Sequence, residues 1–177
     1  MAVRGIQVLR DRGIEHEVLV YRYDKKGTEP AADALGLPHS DVVKSLVFRT
    51  DSGSFLFALM AGDATVSVRK LGRATGHKTV EPAAPRDAER VTGYLVGGMS
   101  PLGSRQTLPV VLDETTAARP SLIINAGARG TLVRLATPDL VALTGATIAD
   151  IRSDERSGSQ SPIADIRSNK RSHHSTA

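Results

Sequence analysis

The sequence has 177 residues, a formal net charge of +4 and 40% hydrophobic residues, which is the composition of an ordinary globular domain. It contains no cysteine, so disulfides, thiolate nucleophiles and cysteine-based metal sites are excluded. No apolar run approaches the roughly 18 residues of a membrane-spanning helix, and residues 1–12 offer no stretch of signal-peptide length. These features predict a soluble, cytoplasmic protein that does not bind membranes and whose basic excess favours an anionic partner.

The composition changes near residue 152. Residues 153–177 are rich in serine and contain only Ile163 and Ile166 as large apolar side chains. Such a stretch buries too little surface to offset the entropy lost on ordering. We therefore predict one folded domain, 1–152, and a flexible tail, 153–177, which is either a basic arm that contacts RNA or a partner, or a tolerated extension. The hexapeptide at 148–153 recurs at 163–168.

Short helical and strand-like patterns alternate along the predicted domain. In chain order they predict a helix ended by Gly13, a strand over 17–21, a helix over 28–36, strands over 42–50 and 54–60, helices over 65–74 and 85–91, strands over 107–112, 121–125 and 131–135, and a helix over 137–143. The Asp-Ser-Gly sequence at 51–53 predicts a hairpin turn. Strands outnumber helices, so we predict an α+β fold with a mixed, barrel-like sheet surrounded by short helices.

Lys44 is the unusual residue of the strand over 42–50. A period of two places Lys44 on the face of Leu46 and Phe48, with Val43 on the opposite face. Both faces are apolar, so the ammonium group enters a cleft, where it needs a partner or a lowered pKa, or else it sits at the strand's end and reaches solvent. A lysine in a cleft can bind a phosphate or ribose oxygen, or stabilise an oxyanion.

A segment rich in glycine, residues 93–103, is the second candidate for a binding site, and we refer to it as the glycine loop. It includes Gly97, Gly98 and Ser100. Successive flexible residues allow backbone N–H groups to converge on one oxyanion or carboxylate. The same composition is also compatible with a simple tight turn.

A third segment, 124–130, places Asn125 at the end of a strand and is followed by a glycine-containing turn. The five histidines are dispersed and none is spaced as a metal-binding pair. The sequence contains neither a Gly-x-Gly-x-x-Gly motif after a strand nor a Walker loop. We expect no metal and no cofactor.

The three segments 43–47, 93–103 and 124–130 together resemble the YbaK/EbsC family of aminoacyl-tRNA deacylases, relatives of the editing domain inserted in bacterial prolyl-tRNA synthetase. The resemblance extends over roughly residues 6–151. It implies a compact α/β domain around a mixed, barrel-like sheet. It also implies hydrolysis of the ester bond of misacylated tRNA, typically tRNA(Pro) carrying cysteine or alanine.

The resemblance also implies roles for particular residues. The family's essential lysine matches Lys44, the loop that holds the substrate carbonyl matches Gly97, Gly98 and Ser100, and the aromatic residue near the pocket mouth matches Tyr21. We expect further substrate-binding residues in the same segments: Ser45, Met99, Pro101, Asn125, Gly127 and Arg129. The form of the glycine loop is similar to the cysteine-specific branch of the family.

Two positions depart from that branch. Asn125 stands where members can carry serine, and Leu132 stands where they can carry aspartate, so no catalytic aspartate is carried over. The leading hypothesis is a trans-editing hydrolase of Cys-tRNA(Pro), with prolyl-tRNA synthetase as a possible partner. The alternatives are an Ala-tRNA(Pro) deacylase, an enzyme acting on free aminoacyl esters, and a non-catalytic module that binds an aminoacyl or nucleotide group, which Leu132 favours.

Overall fold

The computed structural model describes residues 2–154, so that the second copy of the hexapeptide and most of the predicted tail lie outside the described residues. The helices are α1 (Arg4–Asp11), α2 (Thr28–Leu35), α3 (Val68–Thr75), α4 (Pro85–Thr92), α5 (Glu114–Ala117) and α6 (Thr137–Thr144). The strands are β1 (His16–Val20), β2 (Val43–Thr50), β3 (Phe55–Ala61), β4 (Val80–Pro82), β5 (Val110–Asp113), β6 (Ser121–Ala128), β7 (Thr131–Ala136) and β8 (Thr147–Ala149). A 3-10 helix, His39–Asp41, precedes β2. No helix within residues 2–154 is long and apolar enough to cross a membrane.

The strands form two sheets. The first sheet is antiparallel with the order β1-β7-β6, and the second has the order β4-β2-β3-β5-β8. In the second sheet β2 is antiparallel to β3 and β4, whereas β5 is parallel to β3 and β8. The predicted α+β class with mixed strand directions is confirmed. Within residues 2–154 the strands lie in two sheets that a bridge between Val42 and Ile123 links, and no closed barrel forms.

The predicted helices and strands are present, with some boundaries moved. The helix predicted over 65–74 begins only at Val68, because Ser67 caps it by accepting a hydrogen bond from the N–H of Lys70. Val66 is extended instead and pairs with Arg152. Strands β4 and β8 and helix α5 are not part of the sequence prediction, since elements of three or four residues show no measurable period.

The main hydrophobic core lies between the two sheets. Val43 and Val47 of β2 and Phe57 of β3 pack in one cluster with Ile124 and Val133 of the first sheet. Helices α1, α4 and α6 add buried side chains to this cluster. The alternation predicted for β2 is therefore confirmed on this face.

The opposite face of the second sheet has its own core. Phe48 and Leu56 pack there with Leu71 of α3 and with Ile151. Helix α2 covers the first sheet, where Ala32 is fully buried. Strand β2 thus contributes side chains to a core on each of its faces.

A buried carboxylate fixes the end of the described chain. Asp113 is fully buried, and its Oδ1 accepts a hydrogen bond of 3.2 Å from the N–H of Ile151. Its Oδ2 lies 3.5 Å from Nε of Arg152. The N–H of Ser153 donates to the carbonyl oxygen of Thr65 at 2.8 Å. These contacts hold residues 151–153 against the rest of the described fold.

Replacing Ile151 with alanine tests the importance of this terminal anchor. Ile151 is fully buried, so we expect Ile151→Ala to lower the free energy of unfolding by about 2–5 kcal/mol. Ile148 is 51% exposed in the adjacent strand, and Ile148→Ala should change the same quantity by less than about 0.5 kcal/mol. Urea denaturation followed by circular dichroism measures both. Equal losses in the two variants would contradict the anchoring role.

Candidate active site

A cleft with a volume of about 820 Å³ opens beside the free edge of β2. Strand β4 pairs with β2 only over 48–50, so no strand covers residues 44–46 on this side. The start of α2, the 3-10 helix, the start of α4 and the glycine loop form the other walls. Its apolar lining includes Val43, Val47, Ala88, Met99 and Leu132. Its polar lining includes Tyr21, Thr28, His39, Lys44, Ser45 and Asn125.

Lys44 lies in this cleft near the start of β2, and its side chain is half-buried. Nζ lies 3.5 Å from the carbonyl oxygen of Gly62, to which it donates a hydrogen bond. Burial lowers the pKa of Lys44, and the negative charge of Asp63 acts in the opposite direction. Of the two interpretations of Lys44, the structure supports the one in which the ammonium group enters a cleft.

Ser45 carries a buried hydroxyl in the same cleft. Its Oγ has no hydrogen-bond partner among the described residues. A buried polar atom that lacks a partner costs about 1–3 kcal/mol. A ligand that supplies a partner for Oγ would therefore gain affinity at this position.

Gly97 is the glycine of the glycine loop that lines the cleft. Its φ is +93°, and a Cβ at this position would lie 2.4 Å from Oη of Tyr23, so the conformation requires glycine. Within residues 2–154 the N–H of Gly97 has no hydrogen-bond partner. Met99 lines the cleft beside it. The loop therefore lines the cleft with a glycine whose conformation is fixed and with an apolar side chain.

Gly98 and Ser100 do not line the cleft, although both were expected to hold the substrate carbonyl. Gly98 is buried, and its N–H donates to the carbonyl oxygen of Leu95 at 2.8 Å. Ser100 is fully buried, and its Oγ accepts a hydrogen bond of 3.1 Å from the N–H of Leu102. Pro101 also lies outside the cleft lining. The hydrogen bonds of Gly98 and Ser100 therefore lie within the glycine loop.

Asn125 ties the glycine loop to the turn after β6. Its Oδ1 accepts hydrogen bonds from the N–H groups of Gly127 at 2.7 Å and Ala128 at 3.1 Å. Its Nδ2 donates to the carbonyl oxygen of Gly97 at 3.2 Å. The pairing of β6 with β7 shifts register at this point. Asn125 thus lines the cleft and also holds Gly97 in place.

Gly127 and Arg129 were expected to bind substrate, but neither lines the cleft. Gly127 has a φ of +107°, and a Cβ there would lie 2.7 Å from Cε1 of Tyr94. Arg129 donates from Nε to the carbonyl oxygen of Val96 at 2.9 Å, and its guanidinium lies 5.3 Å from the centre of the Tyr23 ring. Both residues therefore contact the glycine loop.

Tyr21 lines the cleft just after β1, as expected for a residue near its mouth. Its N–H donates to the carbonyl oxygen of Gly130 at 2.9 Å, which fixes the backbone. Burial, and secondarily the neighbouring Tyr23, raises the pKa of Tyr21. The phenol therefore stays protonated near neutral pH and can donate a hydrogen bond.

The polar end of the cleft, which contains Thr28, His39 and Gly62, was not predicted from the sequence. Oγ1 of Thr28 and Nε2 of His39 lie 2.9 Å apart. A Cβ at Gly62 would lie 2.6 Å from Oγ1 of Thr28, so glycine permits this close packing. The sequence carried no signal for the pair beyond a helix start and one dispersed histidine. In the described part of the chain, no three His, Asp or Glu side chains group as metal ligands.

The comparisons with known proteins agree on one family. Residues 24–143 match the aminoacyl-tRNA editing domain. A candidate Cys-tRNA(Pro)/Cys-tRNA(Cys) deacylase of Enterococcus faecalis is 32% identical over 132 residues, which cover 75% of this chain and 80% of that protein. A proline–tRNA ligase of Trichlorobacter lovleyi is 35% identical over 107 residues, which cover 60% of this chain and 19% of the ligase. The crystal structure of a candidate trans-editing enzyme for prolyl-tRNA synthetase has a TM-score of 0.76 and 31% identity, covering 85% of this chain and 96% of that one.

The chain belongs to the aminoacyl-tRNA editing domain family, in the YbaK/EbsC group that is related to the editing domain of prolyl-tRNA synthetase. The resemblance stated from the sequence is thereby confirmed, and the fold agrees with it. The matched range of 24–143 includes Lys44, the glycine loop and Asn125, and it begins after Tyr21.

Replacing Asn125 tests whether its side chain holds the glycine loop. Asn125→Ala removes the partners of two backbone donors and one carbonyl, so we expect a loss of about 1–3 kcal/mol in the free energy of unfolding. Asn125→Asp keeps the acceptor for Gly127 and Ala128 and should lose less. Chemical denaturation of the two variants provides the comparison. If both were as stable as the unmodified chain, the loop would be held by other contacts.

Proposed function

We propose that this protein is a trans-editing hydrolase that cleaves the ester bond of misacylated tRNA in the cytoplasm, with Cys-tRNA(Pro) as the preferred substrate. The observation that carries the proposal is a half-buried lysine, Lys44, in a largely apolar cleft of an editing-family chain. The similarity to a candidate Cys-tRNA(Pro)/Cys-tRNA(Cys) deacylase supports cysteine as the aminoacyl group. The proposed reaction uses no metal and no cofactor.

The size of the cleft fits the end of a charged tRNA. Its volume of about 820 Å³ is within the range of roughly 300–1,000 Å³ that is typical of small-molecule sites. The aminoacyl group and the terminal adenosine would enter, and the body of the tRNA would remain outside. A net charge of +4 gives weak attraction to the tRNA backbone, so we propose that prolyl-tRNA synthetase presents the substrate.

The lining residues supply two donors for the reacting ester. When a nucleophile adds to the carbonyl carbon, negative charge develops on the carbonyl oxygen. The ammonium group of Lys44 and the N–H of Gly97 stabilise that charge, and Oγ of Ser45 binds a neighbouring polar group of the substrate. Tyr21 covers the mouth of the cleft. In this proposal Gly98 and Ser100 act by holding the loop.

A non-catalytic module that binds an aminoacyl group is the second candidate function. Leu132 is buried and lines the cleft where members of the cysteine branch can carry aspartate. A cleft wall that lacks this carboxylate is compatible with a protein that binds the substrate and does not catalyse its hydrolysis. Such a module would bind the aminoacyl group without hydrolysing its ester bond.

A deacylation screen separates the candidate functions. Purified protein is incubated, without added metal, with tRNA(Pro) charged separately with cysteine, alanine or proline, and with a free cysteine ester. The proposal predicts fastest loss of the cysteinyl ester from tRNA. Preference for the alanyl ester would identify an Ala-tRNA(Pro) deacylase. Tight binding of charged tRNA without turnover would support the binding module.

Substitution of Lys44 tests its place in the reaction. We expect Lys44→Ala to lower kcat/KM by at least about 10²-fold, as removal of one oxyanion donor does in other hydrolases. Lys44→Arg should fail as well, because a planar guanidinium does not replace a compact ammonium group in a confined site. The melting temperature should be retained in both.

Lys78→Ala is the matched control, because Lys78 is exposed and does not line the cleft. Its turnover should equal that of the unmodified chain. Near-normal turnover in Lys44→Ala would remove Lys44 from the catalytic site.

A further inference from the structure

The hexapeptide Ile-Ala-Asp-Ile-Arg-Ser occurs twice in the chain, at 148–153 and at 163–168. The first copy is held against the folded domain, and the second copy lies outside the described residues. We propose that the second copy replaces the first on the same surface when the first is weakened, so that the end of the domain is exchangeable within one chain. This inference is independent of the proposed function.

The surface that holds the first copy, which we call the terminal dock, is formed by Thr65, Ser67, Lys70, Leu71 and Asp113. Two of its contacts are made between backbone groups. The N–H of Ser67 donates to the carbonyl oxygen of Ile151 at 2.8 Å, and the N–H of Ser153 donates to that of Thr65 at 2.8 Å. Backbone contacts of this kind do not depend on side-chain identity, so they are available to any segment that adopts the same extended conformation.

Three side chains of the first copy make the contacts that depend on sequence. Ile151 is fully buried in the core between α3 and the second sheet. Oδ2 of Asp150 lies 3.0 Å from Nζ of Lys70. Nε of Arg152 lies 3.5 Å from Oδ2 of the buried Asp113, whose Oδ1 accepts the N–H of Ile151 at 3.2 Å. The terminal dock thus selects an acidic, an apolar and a basic residue in succession.

The second copy carries the same residue at each of these positions. Asp165, Ile166 and Arg167 follow one another in the order and spacing that the terminal dock selects. Ile163 likewise corresponds to Ile148, which pairs with β5. A surface that recognises the first copy by these side chains therefore recognises the second copy as well.

The chain between α6 and the terminal dock is long enough for the exchange. Helix α6 is capped by Gly145, and residues 146–147 alone connect it to the first copy. With the second copy docked, residues 146–162 would make the same connection. Two residues already span the distance, so the longer connection spans it too, and the entropy lost on closing a loop rises only slowly with its length.

Two differences favour the first copy in the unmodified chain. Thr147 pairs with β5, whereas Pro162 precedes the second copy and has no N–H to donate. Nζ of Lys70 also lies 3.0 Å from Oδ1 of Asp154, whereas the second copy is followed by the uncharged Asn169. The first copy therefore occupies the terminal dock, and damage to it shifts the population towards the second.

Hydrogen exchange of the full chain, followed by mass spectrometry, tests the proposal. In the unmodified chain the amides of 148–153 should exchange slowly and those of 163–168 quickly. Ile151→Asp places a charge at a fully buried position and should expel the first copy from the terminal dock. We expect slow exchange to move to 163–168 in this variant, which should remain folded and monomeric.

Substitutions in the second copy provide matched controls. Adding Ile166→Asp to Ile151→Asp leaves neither copy able to fill the buried position, so the melting temperature should fall by about 5 °C or more relative to Ile151→Asp. Adding Ile163→Ala instead should change it little, since Ile163 corresponds to Ile148, which is 51% exposed. Ile166→Asp alone should melt as the unmodified chain does.

Three outcomes would overturn the proposal. Fast exchange of 163–168 in Ile151→Asp, with equal melting temperatures in the single and double aspartate variants, would show that the terminal dock does not accept the second copy. Failure of Ile151→Asp to fold would show the same. Slow exchange of 163–168 that accompanies dimers in light scattering would place the segment on another molecule and exclude exchange within one chain.

Discussion

Strand β2 must be buried on both faces and still leave part of one edge open. Val43 and Val47 pack between the two sheets, and Phe48 packs into the core on the opposite side. Strand β4 covers the edge only over 48–50, and the bridge at Val42 reaches the first sheet. The uncovered residues between these two contacts form one wall of the cleft. A longer β4 would fill the cleft, so the short strand is what makes a site possible.

The polar groups of the cleft are held by contacts within the protein. Asn125 fixes the carbonyl group of Gly97, and the carbonyl of Gly62 accepts the hydrogen bond of Lys44. Thr28 likewise holds the ring of His39. Donors that are already oriented lose little free energy to reorganisation when charge develops during a reaction. The apolar lining strengthens their effect, because it excludes water from the same space.

The sequence was informative where a side chain's role follows from local periodicity. The alternation in β2 predicted which side chains share a face with Lys44, because strand faces are set by neighbours two positions apart. It left open whether the ammonium group enters a cleft or reaches solvent at the strand's end. The hairpin followed from the turn residues at 51–53. Gly97 and Met99 of the glycine loop line the cleft. The turn in which the N–H of Gly98 donates to the carbonyl oxygen of Leu95 could not be predicted, since it depends on the folded loop.

The contacts that could not be predicted from the sequence are those made by tertiary packing. His39 meets Thr28 across 11 positions only because the 3-10 helix folds back on α2. The division of the strands into two sheets is likewise set by pairing between distant strands, which local periodicity does not report. Elements of three or four residues, such as β8, carry no periodic signal at all.

The strand pairing also governs how the polypeptide can fold as it emerges from the ribosome. Strand β1 pairs with β7, and β5 pairs with β8. Strands that are synthesised early therefore cannot complete their pairing until later strands have been synthesised. A partly synthesised chain contains β2 and β3 as a local hairpin, but it has neither complete sheet. Such non-local pairing slows folding and leaves apolar strands exposed in the meantime. Synthesis must therefore pass β8 before both sheets have all their strands.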